Sequence, residues 1–183
     1  MKLKWKIIIV TLTILISFII FRLFFMKYYY DFLEFWTLRN KIVWTEHNKL
    51  EWSDLEYNQN KEGLYVKMGL LSRFNVNDPI LFRSYTVFMK EESSVSDTTD
   101  IINLRVAQAK YDLLEIYRRK MVKEVDSLRK VKIKKLEPTD FELMNKRYYD
   151  KFYKEWQKHL NSEDEIKSLI SLENKIKKEL INR

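Results

Sequence analysis

The chain has 183 residues, a formal net charge of +8, two glycines, two prolines and no cysteine. That length suits one modest domain plus an anchor, and the lack of thiols excludes disulfides, thiol catalysis and thiolate metal sites. So few turn-formers argue against a many-stranded β fold and against Pro- or Gly-rich linkers.

The charge is unevenly placed. Residues 1–27 carry Lys2, Lys4, Lys6, Arg22 and Lys27 with no acid, which leaves 29 basic groups against 26 acids in the rest of the chain. Most of the basicity belongs to the N-terminal segment, so a nucleic-acid reading loses its main support. The richness in Lys, Ile, Asn, Tyr and Phe over Ala, Gly and Pro follows AT-rich codons, as in a low-GC bacterium or an organelle genome.

Ile7 to Phe21, "IIIVTLTILISFIIF", runs fifteen residues without a charge, and the apolar run reaches Met26 with Arg22 as its only ion. About 20 apolar residues span a hydrocarbon core of about 30 Å. Arg22 lies near one end, where its side chain can snorkel to the headgroups. A cleaved signal peptide would need small residues after the apolar core, but Arg22-Leu23-Phe24-Phe25 stand there. The segment reads as a retained anchor, residues 1–27, with Tyr28, Tyr29 and Tyr30 in the aromatic belt and Trp5 at the opposite interface. Three lysines and the free amine on the N-terminal flank place the N-terminus on the cytoplasmic side. The membrane is then a bacterial inner membrane or, alternatively, an organelle inner membrane.

Residues 28–95 form a juxtamembrane, aromatic-rich and mainly helical region in this reading. Residues 28–60 lack Gly and Pro and read as helix, with a break at the capping-box spacing Ser53-x-x-Glu56. For residues 64–89 helix and strand both stay open. Asp78-Pro79 suits a helix start, and "ILFRSYTVFM" could place Leu81, Tyr85 and Phe88 on one helical face, although its Thr, Val and Tyr also suit a strand.

Lys90 to Asp100 is polar and aperiodic, a surface loop. Residues 96–183 then read as a long helix plus a C-terminal helical hairpin. From Thr99 to Lys135, the apolar positions Ile102, Val106, Ala109, Leu113 and Ile116 recur at helical spacing, resumed by Met121, Val125 and Leu128. A rod of roughly 50 Å is longer than a small core can cover. Glu137-Pro138 ends it. Thr139-x-x-Glu142 and Ser162-x-x-Glu165 are further capping boxes, opening a helix with the stripe Phe141, Met144, Tyr148, Phe152 and Trp156 and a last helix through Ile166, Leu169, Ile176 and Leu180. The expected fold is all-α: a single transmembrane helix, then an extended helical domain with one long helix and two or three shorter ones.

No catalytic, cofactor or metal site emerges. His47 with Glu51 and His159 with Glu155 are i,i+4 pairs, but a metal needs three or four ligands. Two glycines preclude a phosphate-cradling loop, and no serine has nucleophile-elbow context.

Arg118 to Lys135 holds nine basic residues against Glu124 and Asp126, a net of +7. A seam of Met121, Val125 and Leu128 flanked by Lys130, Lys132 and Lys134 suits an acidic, partly apolar partner helix. Tyr149, Tyr153 and Trp156 would be nearby aromatic anchors. The expected partners are the lipid bilayer and other protein subunits of a membrane complex, with no nucleic acid and no identified small-molecule substrate. The anchor-then-long-helix plan resembles, in architecture and without a shared motif, bitopic stalk subunits such as the b-type chains of the ATP-synthase peripheral stalk. The function these features favour is a non-catalytic accessory subunit of a membrane complex; the alternative is an anchored extracytoplasmic ligand- or polymer-binding module.

Overall fold

The computed structural model describes residues 2–61, 63–74, 81–131 and 136–181, and the chain forms two compact units, Met1–Arg39 and Asn40–Arg183. The first is a single helix, α1 (Lys2–Leu38), 37 residues long. At 1.5 Å per residue it measures about 55 Å, well beyond one hydrocarbon thickness. Lys4–Arg22 within it is long and apolar enough to cross a membrane. Its side chains are exposed on every side, from Ile7 and Phe21 through Tyr28, Phe32 and Phe35. A helix that is apolar all round finds a stable place only inside lipid or another protein.

The second unit overturns the all-α expectation. It holds two three-stranded sheets ahead of three helices. The first sheet joins β1 (Ile42–Val43), β4 (Met68–Phe74) and β5 (Phe82–Phe88) in the order β1-β5-β4, all antiparallel. The register runs from Met68 opposite Phe88 to Phe74 opposite Phe82. The second sheet is smaller: β2 (Glu56–Tyr57), β3 (Leu64–Tyr65) and β6 (Ser94–Val95), ordered β2-β6-β3. Gly63 enters β3 with φ of 71°, in the left-handed region that favours glycine. Its N–H donates to Ser96 Oγ at 3.0 Å.

The helix expected over residues 28–60 therefore stops at Leu38, and a strand, a 3₁₀ turn (Trp52–Asp54) and a second strand follow. The capping box there uses Glu51 and Asp54, with no role for Ser53 and Glu56. "FRSYTVF" is strand, not helix. The helical spacing of Leu81, Tyr85 and Phe88 was misleading because the inward row of β5 is Phe82, Ser84, Thr86 and Phe88, polar at its centre. Asp78-Pro79 lies outside the described residues.

α2 (Ile101–Lys130) begins on Asp100, whose side chain accepts the Ile102 N–H at 2.9 Å. Seven consecutive residues, Tyr111 to Tyr117, are buried, which only a helix covered on several sides can achieve. The first sheet packs on one side, with Phe88 edge-on to Tyr111 at 6.0 Å between ring centroids. α3 (Pro138–Leu160) and α4 (Glu165–Ile181) contact α2 elsewhere around its circumference. The long helix is thus the centre of its own domain. α3 starts with Pro138 behind a Glu137–Asp140 capping box, two residues earlier than Thr139 and Glu142 suggested. Phe141 stacks on Phe74 at 4.2 Å and lies 5.7 Å from Phe82, tying α3 to the sheet.

Candidate functional site

Of the expected partner seam, Met121 and Val125 are 1 % and 0 % exposed, and Leu128 packs against the same core. Trp156 is buried as well, with the Lys110 ammonium 5.5 Å from its ring centroid. Met121, Val125 and Trp156 are covered by the domain's own elements, while Leu128 is only partly buried. A charge at Leu128 would strike the fold before it touched any partner. Lys130, Tyr149 and Tyr153 are exposed. Lys132 and Lys134 lie outside the described residues. Of the residues expected to form the anchor, Ile7, Phe21, Arg22, Tyr28, Tyr29 and Tyr30 are exposed along α1, and Met26 belongs to the same helix.

Much of the basic run is engaged inside the domain. Arg118 donates Nε and Nη2 to Glu115, both at 2.7 Å, and Nη1 to the Ser84 carbonyl at 2.9 Å. Arg119 Nε also donates to Glu115, Lys120 pairs with Glu179 at 2.6 Å, and Arg129 pairs with Asp126. Thr86 completes the Glu115 set through its hydroxyl at 2.8 Å. Glu115 is 1 % exposed; a carboxylate so deep persists because four donors meet its two oxygens.

One turn earlier the same face of α2 presents Asp112, 8 % exposed, in a different setting. Trp44 Nε1 donates to its Oδ1 at 2.7 Å, and Gln108 Nε2 to the same oxygen at 2.8 Å. Gln108 in turn accepts the Leu50 N–H, and the Trp44 N–H bonds the Thr86 carbonyl. The 44–50 loop is thereby pinned to both α2 and β5. Burial pushes the Asp112 carboxyl above its usual range, against the opposing effects of the two hydrogen bonds and of the Lys49 charge. Asp112 forms the floor of a cleft of about 350 Å³ whose walls are Trp44, Thr45, Glu46, Asn48 and Lys49 on one side and Leu180 and Ile181 on the other. Arg119 braces the rim: its guanidinium lies 5.0 Å from the Trp44 ring centroid, and it donates to the Leu180 carbonyl and to Glu46.

Among the described residues no group of His, Asp and Glu is arranged to hold a metal. His159 is buried, its Nδ1 2.9 Å from Ser168 Oγ, and links α3 to α4. The residues that sequence reasoning passed over are Trp44, Gln108, Asp112 and Glu115. Their only sequence signal is the 4, 3, 4 spacing of Gln108, Asp112, Glu115 and Arg119, a polar row parallel to the apolar one.

On the outer side of α3, Tyr149, Tyr153 and Leu160 are 41 %, 52 % and 50 % exposed. At 100° per residue they fall within about 40° of one another, a single stripe. Comparison with known proteins yields no match to a family model, a curated protein or a solved structure.

Proposed function

We propose that the protein is a single-pass membrane protein, N-terminus cytoplasmic, whose domain is a non-catalytic accessory subunit docking onto a protein partner of a membrane complex. α1 supplies the anchor: its apolar surface needs lipid, and the lysine-rich flank favours the cytoplasmic side. The observation that carries the docking reading is the Tyr149–Tyr153–Leu160 stripe. Tyr149 rests 5.5 Å, centroid to centroid, from the buried Phe152 ring, so part of this surface is held in place before binding. Rigid aromatic side chains lose little entropy on docking, which suits them as interface anchors. The surface replaces the Met121–Val125–Leu128 seam, of which the domain buries Met121 and Val125 and partly covers Leu128.

A photoreactive phenylalanine analogue in place of Tyr153, activated in intact membranes, tests this. The expected product is a discrete adduct with a second polypeptide, absent when the probe replaces Gln59 in the exposed turn after β2. No adduct at Tyr153, or equal adducts at both positions, would sink the proposal.

A further inference from the structure

We propose that the cleft between the 44–49 loop and the C-terminal end of α4 binds a compact organic cation, with an ammonium group on the Asp112 carboxylate and the carbon stem against Trp44, Leu180 and Ile181. Two neighbouring carboxylates on α2 make the case by contrast. Glu115 is buried and ion-paired to two guanidinium groups. Asp112 is nearly as deep, yet among the described residues its hydrogen bonds come from the neutral donors Trp44 and Gln108, both on Oδ1. A buried carboxylate without a cationic partner is costly unless something supplies the charge. Unlike Glu115, this one lines an open cleft.

The walls favour the same chemistry. Glu46 adds a second carboxylate. The last described turn of α4 borders the cleft, and the C-terminal end of a helix carries partial negative charge. An indole ring accommodates cations on its face, and Arg119 already occupies that role at 5.0 Å. Arg119 is already paired with Glu46 and Glu115 at the rim, so an anionic ligand reaching the floor would meet the Asp112 carboxylate with Lys49 as the one cation among the described residues of the cleft wall. The volume of about 350 Å³ sits at the small end of ligand pockets, so the cation is compact. Lys49 is the built-in competitor: it lines the cleft and its charge reaches Asp112 without forming an ion pair. The site is independent of the α3 stripe, and either proposal can fail alone.

The full-length ¹⁵N-labelled chain in detergent micelles provides the test. The Trp44 indole N–H resonance, assigned by its loss in Trp44→Phe, reports directly on the hydrogen bond to Asp112. Butylammonium is titrated against its isosteres butanol and butyrate. The expected result is a saturable shift with butylammonium about tenfold tighter than with butanol, because the hydrogen bond is charge-assisted, and none with butyrate. Asp112→Asn should weaken the ammonium response about tenfold. Lys49→Gln, a surface change that leaves the core intact, should tighten it by about threefold. Equal responses to butylammonium and butanol, an undiminished shift in Asp112→Asn, or unchanged affinity in Lys49→Gln would each overturn the assignment.

Discussion

Glu115 holds together three parts of the domain that are distant in sequence. Its carboxylate accepts from Thr86 of β5 and from Arg118 and Arg119 of α2, and Arg119 reaches on to the Leu180 carbonyl of α4. Removing one partner of a buried pair leaves the others desolvated and uncompensated, at a cost of about 3–5 kcal/mol. Glu115→Gln is therefore expected to lower the unfolding free energy of the full chain by about that amount, measured by chemical denaturation in detergent. A loss below about 1 kcal/mol would show that the network is not the brace described.

This layer was hard to read from sequence. Gln108, Asp112, Glu115 and Arg119 repeat at helical spacing and look like a solvated face, because nothing local reveals that a sheet covers them. Ser84 and Thr86 hide the matching side: they face inward, so β5 lacks the alternation of apolar and polar residues that marks a half-buried strand. The two polar rows are legible only together.

Elements that carry their own signals were easier. The stripe Phe141, Met144, Tyr148, Phe152 and Trp156 is buried along α3, and Leu169 and Ile176 are buried along α4. The start of α2 behind Asp100 follows from capping chemistry, whereas α2 already ends at Lys130 and Pro138, expected to close it, instead opens α3. What sequence could not supply was the covering of α2. A rod of that length looked as if it needed an outside partner, whereas the sheet and two helices bury its middle.

The α3–α4 hairpin has a titratable lock. His159 is buried against Trp156, with ring centroids 5.0 Å apart, and bonds Ser168 across the turn. Burial holds its pKa below the ordinary 6.5, opposed by the charge of Glu165. The folded state therefore favours the neutral ring, while the unfolded chain takes up a proton first as pH falls through about 6.5. The contribution is fully present above that value and is lost as pH falls through it toward the folded pKa. Stability of the wild type should thus fall more steeply between pH 7 and 5 than that of His159→Gln. Asp112 runs the opposite way, its raised pKa relieving strain as pH falls, so the difference between the two proteins is the informative curve. Parallel curves would remove His159 from the account of acid sensitivity.

At the scale of the whole molecule, two units of different surface character share one chain. α1 exposes apolar and aromatic side chains from Trp5 to Trp36, a surface that water does not tolerate. The domain from Asn40 onward has a closed core that includes sheet, central helix and hairpin. A helix long and apolar enough to cross a membrane, joined to a domain with its own core, suits the proposed membrane-held module, and the outer face of α3 is the surface proposed to meet its neighbour. The decisive measurement is the native mass of the full chain extracted from its source membrane in mild detergent. A stoichiometric second polypeptide should accompany the 22.5 kDa chain, and Tyr149→Ala with Tyr153→Ala should release it while the chain stays in the membrane fraction. A 22.5 kDa monomer from the wild-type membrane, or a complex indifferent to both substitutions, would contradict the proposal.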